Sequence, residues 1–267
     1  MRSSDNAPAI ARQPHAVLDL ASRKLKAIKI ERLLNLTALR RPMRMLEVGT
    51  GSGGIAHYFG THAELHVDVD AVDVVDNRLV TDGYRFQLVT DTRLPYPDAA
   101  FDIVLTNHVI EHVGSRDEQL AHLREVRRVL REGGTGYLAV PNRWMLVEPH
   151  YRLAFLSWFP RRWRSRYLDW RRGVAFYDCE PLTMEQAEQL LGEAGFEFEN
   201  LCVAALRSTL ELEHRPSSPM RRIFDRIPDR LLVLTRRIIP TLIYKFWATG
   251  KCKEGPSGET VQMGRPA

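Results

Sequence analysis

The sequence predicts an α/β protein: a doubly wound, mostly parallel sheet, with a helix before it and a helical insertion after its fifth strand. Short apolar runs alternate with helix-period segments from residue 43 to residue 206, the pattern of a parallel sheet covered on both faces. The first run ends in a glycine-rich bend, Leu46-Glu47-Val48-Gly49-Thr50-Gly51-Ser52-Gly53-Gly54, and a helix-compatible stretch starts at Ile55. The chain has 267 residues, enough for one large core and an insertion, and no internal repeat divides it.

Taken in order, residues 1–14 read as a disordered lead, and 15–42 as an N-terminal helical cap. Val17, Leu18, Leu20, Leu25, Ile28, Leu33, Leu34 and Leu36 recur at helical spacing between lysines and arginines, which predicts a helix from His15 to Leu36. Residues 43–142 form the ligand-binding core. Strands are expected near 44–48, 67–75, 84–89, 101–106 and 135–140, with helices near 53–60, 76–81 and 117–131. Gly133-Gly134 after Leu130 is a stop signal for the last of these helices. Residues 143–181 do not fit a minimal sheet and read as a substrate-lid insertion. Residues 182–210 close the core with a helix near 183–194 and a strand near 197–206. Residues 211–250 read as a C-terminal amphipathic region and 251–267 as a disordered tail.

Ligands of such folds bind beyond the carboxyl ends of the strands, where the glycine bend lies. Glycines there let the backbone approach a ligand and adopt positive φ without cost, and the following helix N-terminus favours an anionic group. Gly49, Gly51 and Gly54 also satisfy the bare G-x-G-x-x-G of dinucleotide-binding proteins. The carboxylate of Glu47 argues against a pyrophosphate close by. It suits a ligand that also carries a cation, such as S-adenosylmethionine with its ammonium, carboxylate and sulfonium.

Five segments in order carry a family resemblance: LEVGTGSGG (46–54), VDAVDVVDNRL (69–79), LPYPDAAFDIVLTNHVIEHV (94–113), VLREGGTGYLAVPN (129–142) and LTMEQAEQLLGEAGFEF (182–198). The stretch from Met43 to Phe198 resembles the class I S-adenosylmethionine-dependent methyltransferases, in the group that includes the ubiquinone and menaquinone methyltransferases. The resemblance implies a Rossmann-like sheet of seven strands and S-adenosylmethionine as cofactor. It also implies roles for single residues. Glu47 would contact the methionine moiety, and Gly49, Gly51 and Gly53 would allow its close approach. Asp73, at the end of the second strand, would accept both ribose hydroxyls, with Asp68, Asp70 and Asp76 as rivals. The adenine contact falls on Asp91 or Thr90, of which Asp91 is the expected one. Asn107 would line the methyl-transfer site.

His108-Val109-Ile110-Glu111-His112 places three potential ligands on one helical face. As a pattern it equals a metalloprotease signature, but it follows a buried strand at the cofactor edge. The ubiquinone-pathway enzymes resembled here carry E-x-x-E-H at this place and are thought to bind a divalent cation. His108, Glu111 and His112 are therefore candidate ligands of a divalent metal ion, and the alternative is a structural Glu-His pair. Transfer to oxygen also requires a base, and His108, His112 and His150 are the candidates.

The insertion concentrates aromatic and basic residues. Four of the five tryptophans and eight arginines lie between 143 and 172. Three uses remain open: packing with solvated arginines, binding of an anionic or lipid-linked acceptor, and nucleic-acid binding. The segment 219–247 alternates apolar blocks with arginine pairs and is too broken by prolines to span a bilayer; it could lie on an anionic membrane surface or simply pack on the sheet. Net charge is +5, and the three cysteines show no paired or metal-type spacing, which suits a reducing compartment. No apolar signal core and no run of about 18 apolar residues occurs. The expectation is a cytoplasmic enzyme, peripheral at the inner membrane face, that O-methylates a small or lipid-linked hydroxylated acceptor. An RNA or nucleic-acid methyltransferase ranks lower because no D/N-P-P-Y signature is present, and a non-catalytic S-adenosylmethionine-binding protein is the rival of another class.

Overall fold

The computed structural model describes residues 19–39, 41–148, 151–177, 179–215 and 217–248. Helix α1 (Leu20–Leu34) begins where the Asp19 carboxylate accepts the N–H groups of Ala21 and Ser22, at 3.0 and 3.2 Å. That cap sets the start at Leu20; residues 15–18 of the expected helix lie outside the described residues. Its inward stripe is Ala27, Ile30 and Leu34 rather than Leu25 and Ile28, which are only half-buried. Strand β1 (Met43–Val48) leads through the glycine bend into α2 (Gly54–Gly60), and β2 (Val67–Asp73) and β3 (Arg85–Leu88) extend the sheet to one edge.

The helix expected near 76–81 is absent. Asp76 accepts the Arg78 N–H and pairs with its guanidinium, and Leu79 donates its N–H to Ser52 O at 2.9 Å, so the segment crosses the glycine bend as a loop. The second strand stops at Asp73 because that residue's carboxylate takes the Val74 N–H at 2.7 Å.

Beyond β1 on the other side come β4 (Phe101–Asn107), the short turn α3 (Ile110–Val113) and α4 (Arg116–Val129). Helix α4 opens with a reciprocal capping box between Ser115 and Glu118. It runs directly into β5 (Leu130–Pro141), so Gly133-Gly134 sits within an irregular strand start instead of in a separate turn. After the insertion follow α6 (Met184–Glu193), capped by Thr183 and Gln186, and β8 (Phe196–Asn200). The strand expected to reach 206 ends at Asn200, whose side chain accepts the Cys202 N–H at 3.1 Å and starts α7 (Cys202–Glu213).

The seven strands lie in the order β3-β2-β1-β4-β5-β9-β8, with β9 (Thr241–Ala248) antiparallel to both of its neighbours. Of the two placements open for the amphipathic region 211–250, a membrane surface and the sheet, its last part takes the sheet. The apolar block Leu242 to Phe246 is an inner strand, and Leu242, Tyr244 and Phe246 are fully buried. Gly136 of β5 makes room for it, since a Cβ there would lie 2.1 Å from the Phe246 ring. Before β9 lie α8 (Pro219–Arg226), which buries none of its residues, α9 (Asp229–Leu232) and a 3-10 turn at Val233–Arg237. No described helix is long and apolar enough to cross a membrane.

The insertion is a small subdomain. A hairpin of β6 (Val147–Glu148) and β7 (Leu153–Ala154), a turn at Leu156–Trp158 and α5 (Arg161–Arg172) enclose Leu153, Leu156, Leu168, Tyr177 and Cys179. Cys179 and Cys202 are both buried.

Candidate active site

The carboxyl ends of β1, β2 and β4 bring Glu47, Gly49, Asp73 and Asn107 to one edge of the sheet. The bend after β1 has three left-handed glycines, with φ of 75° at Gly49, 56° at Gly51 and 78° at Gly53. Gly49 and Gly53 make space first for protein atoms. A Cβ on Gly49 would meet Val109 Cγ2 at 2.4 Å, and one on Gly53 would meet Tyr84 Oη at 2.2 Å and Val80 O at 2.4 Å. The loop is therefore held from both sides, by β4's outgoing turn and by the 79–84 segment.

Asp73 contributes directly to this grip. Its Oδ2 accepts the Gly51 N–H at 2.8 Å while Oδ1 accepts the Val74 N–H. A carboxylate offers about four lone-pair sites, so it retains acceptor capacity for hydroxyl groups. Its rivals are committed elsewhere. Asp70 is buried between the guanidiniums of Arg44 and Arg85, Asp68 pairs with Arg85, and exposed Asp76 pairs with Arg78. Asp91 lies beyond β3, exposed, with Oδ1 accepting the Arg93 N–H at 2.7 Å.

Glu47 is buried beneath the bend, where Oε2 accepts the Thr50 hydroxyl at 2.7 Å. Burial pushes its pKa up to about 8; Thr50, Arg23 and the Ala56 N–H pull the other way, and Asp73 adds to the rise. Since the unfolded carboxyl ionises near 4.5, the native state keeps a proton that the unfolded chain loses between pH 4.5 and 8, and Glu47 makes stability fall as pH rises through that window. A bound ammonium would favour the carboxylate and expel the proton. Titration with S-adenosylhomocysteine near pH 7, in buffers of different ionisation enthalpy, should therefore show release of up to roughly one proton. Glu47→Gln should abolish that release. Buffer-independent heats with the unaltered protein would remove Glu47 from the cofactor site.

Sequence reasoning missed the cations above this carboxylate. Arg23 of α1 packs its Cβ 2.8 Å from the position a Gly54 Cβ would take, and it interacts electrostatically with Glu47. One turn on, burial lowers the Lys26 amine to about 7, assisted by Arg23 and Lys29 and opposed by Glu111 and Glu213. Arg23, Lys26 and Lys29 line a cleft of about 190 Å³ between α1 and α7. In sequence these residues look like a solvated helix face; only docking of α1 turns them inward.

At the end of β4, Asn107 is buried, with Oδ1 lacking a hydrogen-bond partner among the described residues. His108 follows at φ 59°, its N–H bonded to Ala139 O at 2.9 Å and its Nδ1 3.1 Å from Oε1 of the fully buried Glu111. A left-handed non-glycine residue stores strain of about 1–3 kcal/mol and is concentrated at functional sites. His112 turns its Nδ1 toward Cys179 Sγ at 3.7 Å, at the end of the insertion. His108 and His112 thus point to different partners, and no three His, Cys, Asp or Glu side chains among the described residues gather to hold a metal ion. The divalent-metal expectation for His108, Glu111 and His112 finds no support in this donor arrangement. His150 falls outside the described residues.

A doubly wound sheet of this order, with an acid-flanked glycine bend beside an Asp at the end of β2, supports a class I S-adenosylmethionine-dependent methyltransferase. Residues 46–138 match the methyltransferase domain family model. Among curated relatives, the ajmaline N-methyltransferase of Rauvolfia serpentina is 29% identical over 36% of this chain and 35% of its own length. The ubiquinone biosynthesis O-methyltransferase of Parvibaculum lavamentivorans is 25% identical over 60% of each. The match thus spans between about a third and three fifths of these relatives. A solved S-adenosylmethionine-dependent methyltransferase from Methanosarcina mazei shares the fold, with TM-score 0.50 and 18% identity over 82% of this chain and 97% of that one.

Proposed function

We propose that the protein transfers the methyl group of S-adenosylmethionine to a hydroxyl oxygen of a small or lipid-linked acceptor. The observation that carries this reading is His108. It is strained, it directly follows Asn107, whose buried Oδ1 has no partner among the described residues, and its Nδ1 is oriented by a buried carboxylate. Base plus orienting acid is the arrangement that general-base catalysis needs. The name of the ubiquinone-pathway relative agrees with an oxygen acceptor.

The cofactor supplies an already activated methyl on sulfur. Glu47 and Arg23 would hold its ammonium and carboxylate, and Asp73 its ribose hydroxyls. Asn107 would fix the acceptor at the edge of β4, within about 3 Å and in line with the leaving sulfur. With Nδ1 bonded to Glu111, His108 would take the hydroxyl proton on Nε2, and the Glu111 carboxylate would stabilise the resulting imidazolium. Asp91 is a less direct contributor, through the turn that borders the adenine side.

The test is transfer of labelled methyl to a panel of phenols, carboxylic acids and lipid-linked sugars. His108→Gln should lower kcat by roughly 10²–10⁴-fold and leave affinity for S-adenosylhomocysteine unchanged. Tight cofactor binding without transfer to any acceptor would favour a non-catalytic S-adenosylmethionine-binding protein, and transfer to RNA alone would favour the nucleic-acid reading.

A further inference from the structure

The outer face of the insertion inverts the usual rule of burial. Helix α5 buries Arg164, 2% exposed, together with Leu168, while Trp163 and Trp170 stand 51% and 76% exposed. The interior arginine is accommodated: its Nε donates to Phe159 O at 2.9 Å, and its Nη1 lies 3.5 Å from Glu180 Oε2. Trp163, Tyr167 and Trp170 share one face of the helix. Tyr167 joins Phe159 and Trp170, at ring separations of 5.2 and 6.2 Å. A second group grows from the preceding turn, where exposed Trp158 meets Trp144 and Phe155 edge-on at 5.5 and 5.3 Å. Leu146 and Val147 lie exposed on the hairpin. Along α5, Arg162, Arg166, Arg171 and Arg172 are exposed with Asp169 as the acid of the helix, while exposed Arg161 pairs with Glu180 at 2.8 Å.

We propose that this face docks the protein on an anionic lipid bilayer. Tryptophan and tyrosine rings suit headgroup depth, where their apolar body and polar edge are both satisfied. The surrounding guanidiniums are complementary to anionic headgroups, each contributing about fivefold to binding near such a surface. A single-stranded nucleic acid would need open ring faces for base stacking. Here Trp158 meets Trp144 and Phe155 edge-on at 84°, the Trp170 ring carries the Arg171 guanidinium 5.4 Å from its centroid, and aliphatic Leu146 and Val147 offer a base nothing to stack on.

The docking face is tied to the candidate active site. Glu180, at the end of the insertion, donates its N–H to Glu111 O at 2.8 Å, and the Gln119 side chain bonds both Ile110 O and Glu180 O. A contact between α5 and a membrane would therefore be linked, through Glu180, to the turn carrying Glu111 and His112. The bilayer contact itself stands apart from the transfer reaction, because vesicle binding requires no acceptor.

The experiment is co-sedimentation of the full chain with phosphatidylcholine vesicles, with and without phosphatidylglycerol. Binding should require the anionic lipid and weaken as salt is raised. Trp163→Ser with Trp170→Ser, and separately Arg162→Ser with Arg166→Ser, should each lower vesicle affinity by roughly tenfold or more. Retained S-adenosylhomocysteine affinity would establish that both variants are folded. Absence of binding to anionic vesicles by the unaltered protein overturns the proposal, as does vesicle binding that neither pair of changes reduces. Salt-sensitive RNA binding without vesicle binding overturns it in favour of a nucleic-acid surface. Loss of S-adenosylhomocysteine binding by the unaltered protein would instead count against the cofactor reading alone.

Discussion

Asp73→Ala should lower affinity for S-adenosylhomocysteine by roughly tenfold to a hundredfold, the consequence of losing about 1.5–3 kcal/mol of charge-assisted hydrogen bonding. Two effects combine. The carboxylate proposed to receive the ribose hydroxyls disappears, and the Gly51 N–H loses the acceptor that now holds it at 2.8 Å. The bend would then sample conformations that do not bind ligand, which reduces apparent affinity further. Asp73→Asn separates the two effects, because an amide oxygen can still accept the Gly51 N–H while the second acceptor is lost. Its affinity should fall between those of the parent and the alanine variant. Calorimetry on folded protein reads this directly, and unchanged affinity in Asp73→Ala would remove Asp73 from the cofactor site.

Gly53→Val should be the most damaging single change to stability in the glycine bend. At φ 78° a branched residue occupies a region that costs L residues about 1–2 kcal/mol. Its Cβ would also lie 2.2 Å from Tyr84 Oη and 2.4 Å from the Val80 carbonyl. Tyr84 could rotate away, but it would give up its 2.6 Å hydrogen bond to Val80 O, and the carbonyl is backbone that cannot yield cheaply. Overpacking of this kind adds about 1–3 kcal/mol. The thermal midpoint should drop on the order of 10 °C. Gly192→Ala is the control, since nothing lies within 4 Å of a Cβ there and the site is helical; it should be neutral or slightly stabilising. A Gly53→Val protein as stable as its parent would mean that the 79–84 segment does not close over the bend.

Much of the site was legible along the chain because its signals are local. The glycines of the bend, the acid at the end of β2 and the asparagine at the end of β4 each sit at a strand terminus, and strand termini are marked by the change from apolar runs to turn residues. Helix starts were equally readable where one side chain caps its own backbone, as Ser115 and Thr183 do. The expected adenine contact was harder to place, because the resemblance left Thr90 beside Asp91 and the short-range bond of Asp91 to the Arg93 N–H serves any loop.

What the sequence by itself determined was therefore the parallel core, the cofactor edge and the location of the insertion, all of which follow from hydrophobic period and turn chemistry within a few residues. Tertiary structure alone decided the rest. It made Thr241–Ala248 an inner strand, because that segment's apolar period is equally compatible with a surface helix and only pairing with β5 and β8 selects extension. It turned Arg23 and Lys26 from an ordinary basic helix face into partners of buried carboxylates. It aimed His108 and His112 at different neighbours, Glu111 and Cys179, so that a pattern resembling a metal motif does not converge on one point. And it placed Arg164 inside the insertion and Trp163 and Trp170 outside it, an arrangement that side-chain polarity opposes. In each case the deciding contact lies far away in the chain, and the energy of that contact outweighs a local preference worth less than about 1 kcal/mol per residue.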